Sequence, residues 1–218
     1  MGNWLNTAVY TTTELILFGV GAFFWLSCYL LVIRGIVRYK FVGISAAVVG
    51  ANIAWEFLWA FVYRQDMGNL IQIGYYGWFF LDCFIVFSMF RYGDKQVLPE
   101  NRRYFKLFFA YSIVGWLVVL YFFIGDKFDN AIGANSAYAI QLLISASCLA
   151  LMLRHPLEKG ISYLAAWCRM LGSLFCGIMC ILHWPGNHWI ASMVVIYIFI
   201  DIFYLVIATR NLKVTGIT

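Results

Sequence analysis

The sequence predicts an all-α membrane protein: one bundle of seven transmembrane helices over residues 1–218, with the N-terminus outside and the C-terminus cytoplasmic. Three observations predict it. Of 218 residues, 64% are hydrophobic and only 11% charged, and a water-soluble domain of that length could not cover so much apolar surface with so few charges. The charges gather in short stretches, and the apolar runs between them approach the roughly 20 residues that cross a ~30 Å hydrocarbon core. Basic residues alternate in density from one connection to the next.

The seven runs lie at about 12–33, 43–63, 69–90, 104–124, 133–153, 161–183 and 188–209, with ends placed to within roughly 2–4 residues. Each is continuously apolar, which demands helices, because an outer-membrane strand is a ~10-residue segment that alternates. Pro99, Pro156 and Pro185 fall between runs, so no span is expected to be broken. The N-terminus has neither a basic n-region nor a small-residue cleavage site, and the first span is expected to stay. No repeat or linker divides the chain.

Lys and Arg in short loops set the orientation. One side collects Arg34, Arg38 and Lys40 after span one. It also collects Arg91, Lys95, Arg102, Arg103 and Lys106 around the loop after span three, Arg154 and Lys159 after span five, and Arg210 and Lys213 at the end. The other side holds only Arg64 and Lys127, and Arg169 lies inside a span. The net charge of +5 is therefore a topology signal, and no nucleic-acid partner is implied. The expected location is a multi-pass position in the endoplasmic reticulum of a eukaryote or the cytoplasmic membrane of a bacterium. The six cysteines all fall in spans. Cys176 and Cys180 share a helix face near a histidine, but no complete four-ligand spacing accompanies them, so packing is the expected role and no metal is assigned.

Ionisable residues in hydrocarbon are the informative minority, since each costs about 2.5–3.5 kcal/mol at a helix centre. Glu56, Asp82, Arg169 and Asp201 lie well inside. Glu14, about one turn in, reads as an interfacial carboxylate at a helix start. Arg169 is expected to pair with Asp82 or Asp201. One guanidinium neutralises about one carboxylate, so at least one of Glu56, Asp82 and Asp201 should carry a proton or be served by polar neighbours. Each carboxylate has aromatic company. Asn52, Trp55, Glu56 and Trp59 share one stripe, Trp78 precedes Asp82 by a turn, and Tyr197 and Tyr204 flank Asp201. Aromatic packing would explain any one of these; together they suggest an acid in an aromatic-walled cavity. Protonating an alkene or epoxide creates a carbocation, which needs a neutral acid, exclusion of water and π-faces worth roughly 0.5–2 kcal/mol each.

With Asn52-Ile53-Ala54-Trp55-Glu56 in span two and Asp201 between isoleucines in span seven, the chain resembles the integral-membrane terpene cyclases of meroterpenoid and indole-diterpenoid biosynthesis. The resemblance implies a cyclase that protonates the terminal epoxide or alkene of a prenylated (farnesyl or geranylgeranyl) aromatic, polyketide or indole-type substrate, with no metal and no cofactor. It implies Glu56 and Asp201 as the catalytic carboxyls. Asp82, Arg169 and Asn52 are then a second acid or its support, and Trp55, Trp59, Trp78, Tyr197 and Tyr204 the cation-lining rings. A lipophilic substrate and the bilayer are the expected partners. A small-molecule or proton-coupled transporter would use the same deep carboxylates, but there is no internal repeat and no Pro-interrupted span. A retinal photoreceptor is disfavoured because residues 188–209 contain no Lys.

Overall fold

The computed structural model describes residues 3–156 and 158–215, with side chains of the last helix described as far as Arg210, so the side chain of Lys213 lies outside the described residues. Seven helices carry the chain: α1 (Thr12–Tyr39), α2 (Ala46–Phe57), α3 (Asn69–Tyr92), α4 (Arg102–Gly125), α5 (Ala134–Arg154), α6 (Tyr163–His183) and α7 (His188–Thr215). Six are long and apolar enough to cross a membrane; the Ala46–Val62 segment, α2 with its terminal π turn, is the shorter apolar one. Several helices outrun their apolar cores. Arg34 and Arg38 ride on the last turns of α1, and Arg91 on the last turn of α3. Hydropathy marks where the apolar surface stops, whereas the backbone ladder continues until a cap ends it. At the end of α1 that cap is Lys40, in the left-handed region at φ 53°.

Span two differs from expectation in a second way. No proline interrupts it, yet α2 passes into a π-helical turn over Leu58–Val62, closed by the Tyr63 amide donating to the Leu58 carbonyl at 2.7 Å. Widening the turn changes which carbonyls find partners. Gln72 of α3 donates its side-chain amide to the Trp59 and Ala60 carbonyls, both at 3.1 Å. The distortion sits within one turn of Glu56.

Helix α1 packs most extensively on α6. A Cβ at Gly21 would stand 2.4 Å from Cys176 Sγ and 2.8 Å from the Gly172 carbonyl oxygen, so the two backbones meet where side chains are absent or small. Connectivity places the N-terminal segment and the α2–α3, α4–α5 and α6–α7 connections at one end of the bundle. The segment before α1 is tied across the α2–α3 connection by backbone hydrogen bonds from Asn6 to Met67 (2.9 Å), Asn69 to Asn3 (3.1 Å) and Leu70 to Trp4 (3.1 Å). Glu14 closes a capping box with Thr11 and also meets His183 Nδ1 at 3.1 Å. It is buried at the join of α1 and α6 rather than left at an interface.

Candidate active site

Among the described residues, two adjoining cavities lie between the helices. The larger, about 130 Å³, lies toward the end that carries the α4–α5 connection, and Trp25, Trp55, Tyr75, Trp78, Tyr138 and Glu56 are among its walls. The smaller, about 50 Å³, lies toward the opposite end beside Gly43 and Gly160, and Asp82, Arg169 and Tyr204 line it. Trp25, Tyr29, Asn52 and Ile144 line both, so they form the partition between them.

Glu56 is buried. Its Oε1 accepts a hydrogen bond from the Tyr29 hydroxyl at 2.9 Å, and Oε2 has no hydrogen-bond partner among the described residues. Asn52, one helical turn before Glu56, donates Nδ2 to the Tyr29 oxygen at 2.8 Å and to Asp82 Oδ2 at 2.7 Å. The four side chains come from α1, α2 and α3 and make one polar thread through an apolar interior. A buried polar atom without a partner is costly. A cavity-lining carboxyl with one oxygen unpartnered suits a group whose partner is a substrate.

Arg169 and Asp201 form a separate unit. The guanidinium Nη2 lies 2.6 Å from Asp201 Oδ1, both residues are buried, and the guanidinium stands 5.5 Å from the centre of the Tyr204 ring. Of the two partners the sequence allowed, Arg169 takes Asp201. Asp82 instead joins Glu56 through Asn52 and Tyr29.

The proposed ring wall divides in the same way. Trp55 and Trp78 line the larger cavity, whereas Trp59 and Tyr197 do not. Trp59 is buried against Gly133, whose φ of +77° favours glycine and where a Cβ would come within 2.4 Å of the indole. Tyr197 stacks on Tyr138 with ring centres 6.1 Å apart. Tyr204 serves the Arg169 side. Helical periodicity puts a residue on a stripe but does not say which neighbour faces that stripe.

Sequence reasoning missed Tyr29, Trp25, Tyr75 and Gln141. A tyrosine in the middle of an apolar run carries a hydroxyl that needs a partner, and Tyr29 one turn after Trp25 was such a signal. Gln141, buried in α5 and lining the larger cavity, was another. The α4–α5 connection went unread as well. Asp129 there accepts from the Ser136 hydroxyl and from the amides of Asn130 (3.0 Å), Asn135 (2.9 Å) and Ser136 (3.4 Å). Burial pushes its carboxyl above the ordinary value, and those donors oppose the rise. Among the described residues no three His, Cys, Asp or Glu side chains gather into a metal-binding group.

The model of the Pyr4-like transmembrane terpene cyclases matches residues 6–209. The chain belongs to that family. It is a terpene cyclase by descent and, with six helices long and apolar enough to cross a membrane, a multi-pass membrane protein. It is 26% identical over 187 residues to the Pyr4-family terpene cyclase mfmH of Annulohypoxylon moriforme, covering 81% of this chain and 75% of the relative. It is 27% identical over 180 residues to the terpene cyclase dpmaB of Metarhizium anisopliae, covering 78% and 70%. With the asnovolin H synthase nvfL of Aspergillus novofumigatus it shares 24% over 160 residues, covering 71% and 65%. No solved structure matches the chain.

Proposed function

We propose that this cyclase protonates the terminal epoxide or alkene of a prenylated acceptor with Glu56 and folds the chain into rings by a metal-free carbocation cascade inside the larger cavity. The observation that carries the reading is a buried carboxyl that lines the larger cavity with one oxygen unpartnered and no cation among its hydrogen-bond partners. Glu56 has one oxygen held by Tyr29 at 2.9 Å and the other without a partner, in an apolar cavity walled by indole and phenol rings. Glu56 and Asp82 share a single thread, through Tyr29 and Asn52, with no cation among its hydrogen-bond partners, and two buried carboxylates joined in this way cannot both be ionised cheaply. One proton held between them is available for delivery from Glu56.

In the proposed step the Glu56 O–H bond breaks as its proton reaches either the epoxide oxygen, whose bond to the more substituted carbon opens to leave a hydroxyl and a cationic carbon, or the terminal alkene carbon. The electron pair of the next double bond closes the first ring. The faces of Trp25, Trp55, Tyr75 and Trp78 hold the migrating positive charge, and the apolar walls keep water from quenching it. The last cation loses a proton to the carboxylate left on the Glu56–Asp82 thread, which restores the acid, so the product is an isomer of the substrate. Arg169 and Asp201 neutralise each other beside the smaller cavity, and Asp201 acts by keeping Arg169 in place. The substrate class is a farnesyl or geranylgeranyl chain on an aromatic, polyketide or indole-type head.

All seven helices, α2 included, are proposed to span the membrane, with the N-terminus outside and the basic end in the cytoplasm. The described relatives are fungal, which favours the endoplasmic reticulum. Glycosylation acceptor sites inserted before α1 and after α7 test the orientation: modification of the C-terminal site alone would reverse it. Membranes containing the protein, incubated with farnesylated and geranylgeranylated acceptors with and without a terminal epoxide, should yield a product of unchanged mass. No isomer from any acceptor, with substrate flux in proteoliposomes instead, would replace the cyclase reading by transport.

A further inference from the structure

The α4–α5 connection reaches the larger cavity through two of its rings. Trp55 donates its indole N–H to Ser136 Oγ at 2.9 Å and lies 3.3 Å from the Gly133 carbonyl oxygen, and Tyr75 donates its hydroxyl to the Ile132 carbonyl at 3.1 Å. The ring centres of Trp55 and Tyr75 are 5.6 Å apart. Ser136 donates its own hydroxyl to Asp129 Oδ2, with the Gly133 carbonyl oxygen also 3.2 Å away, and Asp129 is held in turn by the amides of Asn130, Asn135 and Ser136. The sequence of contacts is carboxyl, hydroxyl, indole, cavity.

We infer that Asp129 and Ser136 are positioning residues for the cyclisation, orienting Trp55 and enriching its π-face so that it holds the carbocation more strongly. An indole has one donor and no acceptor. A hydroxyl oxygen whose proton is already held by a carboxyl is a better acceptor than a free hydroxyl, because successive hydrogen bonds polarise one another. Electron density drawn toward the indole N–H spreads over the ring and deepens the negative face that attracts a cation. The same bond fixes the plane of the ring beside Glu56, its neighbour in sequence. Neither Asp129 nor Ser136 lines the cavity, so both act through Trp55.

This rests on the cyclase reading, and the test separates the two. Steady-state kinetics and product ratios are measured with a farnesylated acceptor for the parent, Ser136→Ala, Ser136→Thr and Asp129→Asn, with thermal unfolding as a control. Ser136→Ala should lower kcat about tenfold with KM within about twofold, and raise the share of partly cyclised, early-deprotonated products. Ser136→Thr keeps the hydroxyl and should restore both values, and Asp129→Asn should move them in the direction of Ser136→Ala. In a Trp55→Phe background, Ser136→Ala should add less than about a further twofold, because the indole N–H it serves is gone. The inference is overturned if Ser136→Ala matches the parent in kcat and product ratio, if Ser136→Thr is as impaired as Ser136→Ala, or if the loss persists undiminished in the Trp55→Phe background. A parent that cyclises normally beside an unaffected Ser136→Ala removes this inference alone. A parent that forms no isomer from any farnesylated or geranylgeranylated acceptor removes the cyclase reading and this inference together.

Discussion

The two ends of the bundle treat buried carboxyls in opposite ways. Toward the α4–α5 end, Glu56 lines an aromatic cavity, bonded through one oxygen to Tyr29 and with the other unpartnered among the described residues. Toward the opposite end, Asp201 Oδ1 lies 2.6 Å from a guanidinium, its Oδ2 likewise has no hydrogen-bond partner among the described residues, and the residue lines neither cavity. The difference lies in the partner, since both are deep acids with tyrosines nearby. A carboxylate beside Arg169 has its charge answered within the protein, whereas a carboxyl bonded only by a phenol can still give its proton to something else. Burial alone therefore does not nominate an acid; the absence of a cation beside it does.

The comparison breaks most decisively at Glu56. Glu56→Gln should lower turnover by about 10²–10⁴-fold while thermal unfolding in detergent stays close to the parent, and near-normal rates would shift the acid to Asp82. Asp201→Asn should fail differently, by leaving a buried guanidinium unanswered at a cost of about 3–5 kcal/mol in stability, read as lower yield and melting temperature. The paired variant Arg169→Met with Asp201→Asn should recover much of that stability. If it folds and still does not turn over, Asp201 takes part in the chemistry and the two regions are one site.

Smaller effects sharpen the contrast. Tyr29→Phe keeps the ring and removes the hydrogen bond to Glu56, so kcat should fall by about 10–100-fold with KM little changed, measured from initial rates in membranes. Trp78→Phe replaces the indole face by a weaker one, and the loss should be a few-fold to about 30-fold, within the range of a single cation–π contact, with more early-terminated product. The corresponding change on the Asp201 side, Tyr197→Phe, should leave both rate and product ratio near the parent.

Much of this was legible before any coordinates. The helical class follows from charge scarcity, and six of the seven runs are helices long enough to cross a membrane because twenty apolar residues have no cheaper solution in lipid. Glu56, Asp82, Arg169 and Asp201 stood out for the same reason. The π turn at Leu58–Val62 was not legible, since no proline or glycine marks it and Gln72 supports it from another helix. Nor was the role of Asp129, which reads as an ordinary loop acid until Ser136 and Trp55 are brought to it.

By itself the sequence determined the solvent, the secondary structure and which residues are too costly to be idle, because those depend on composition and on the fixed periodicity of a helix. Only the tertiary structure decided pairing. Asn52, Trp55 and Trp59 share a stripe, yet one bridges Tyr29 to Asp82, one lines the cavity and one packs on Gly133. Arg169 had two possible carboxylates and took Asp201. Such choices turn on a few ångströms between helices distant in sequence, a separation that no pattern along a single helix encodes.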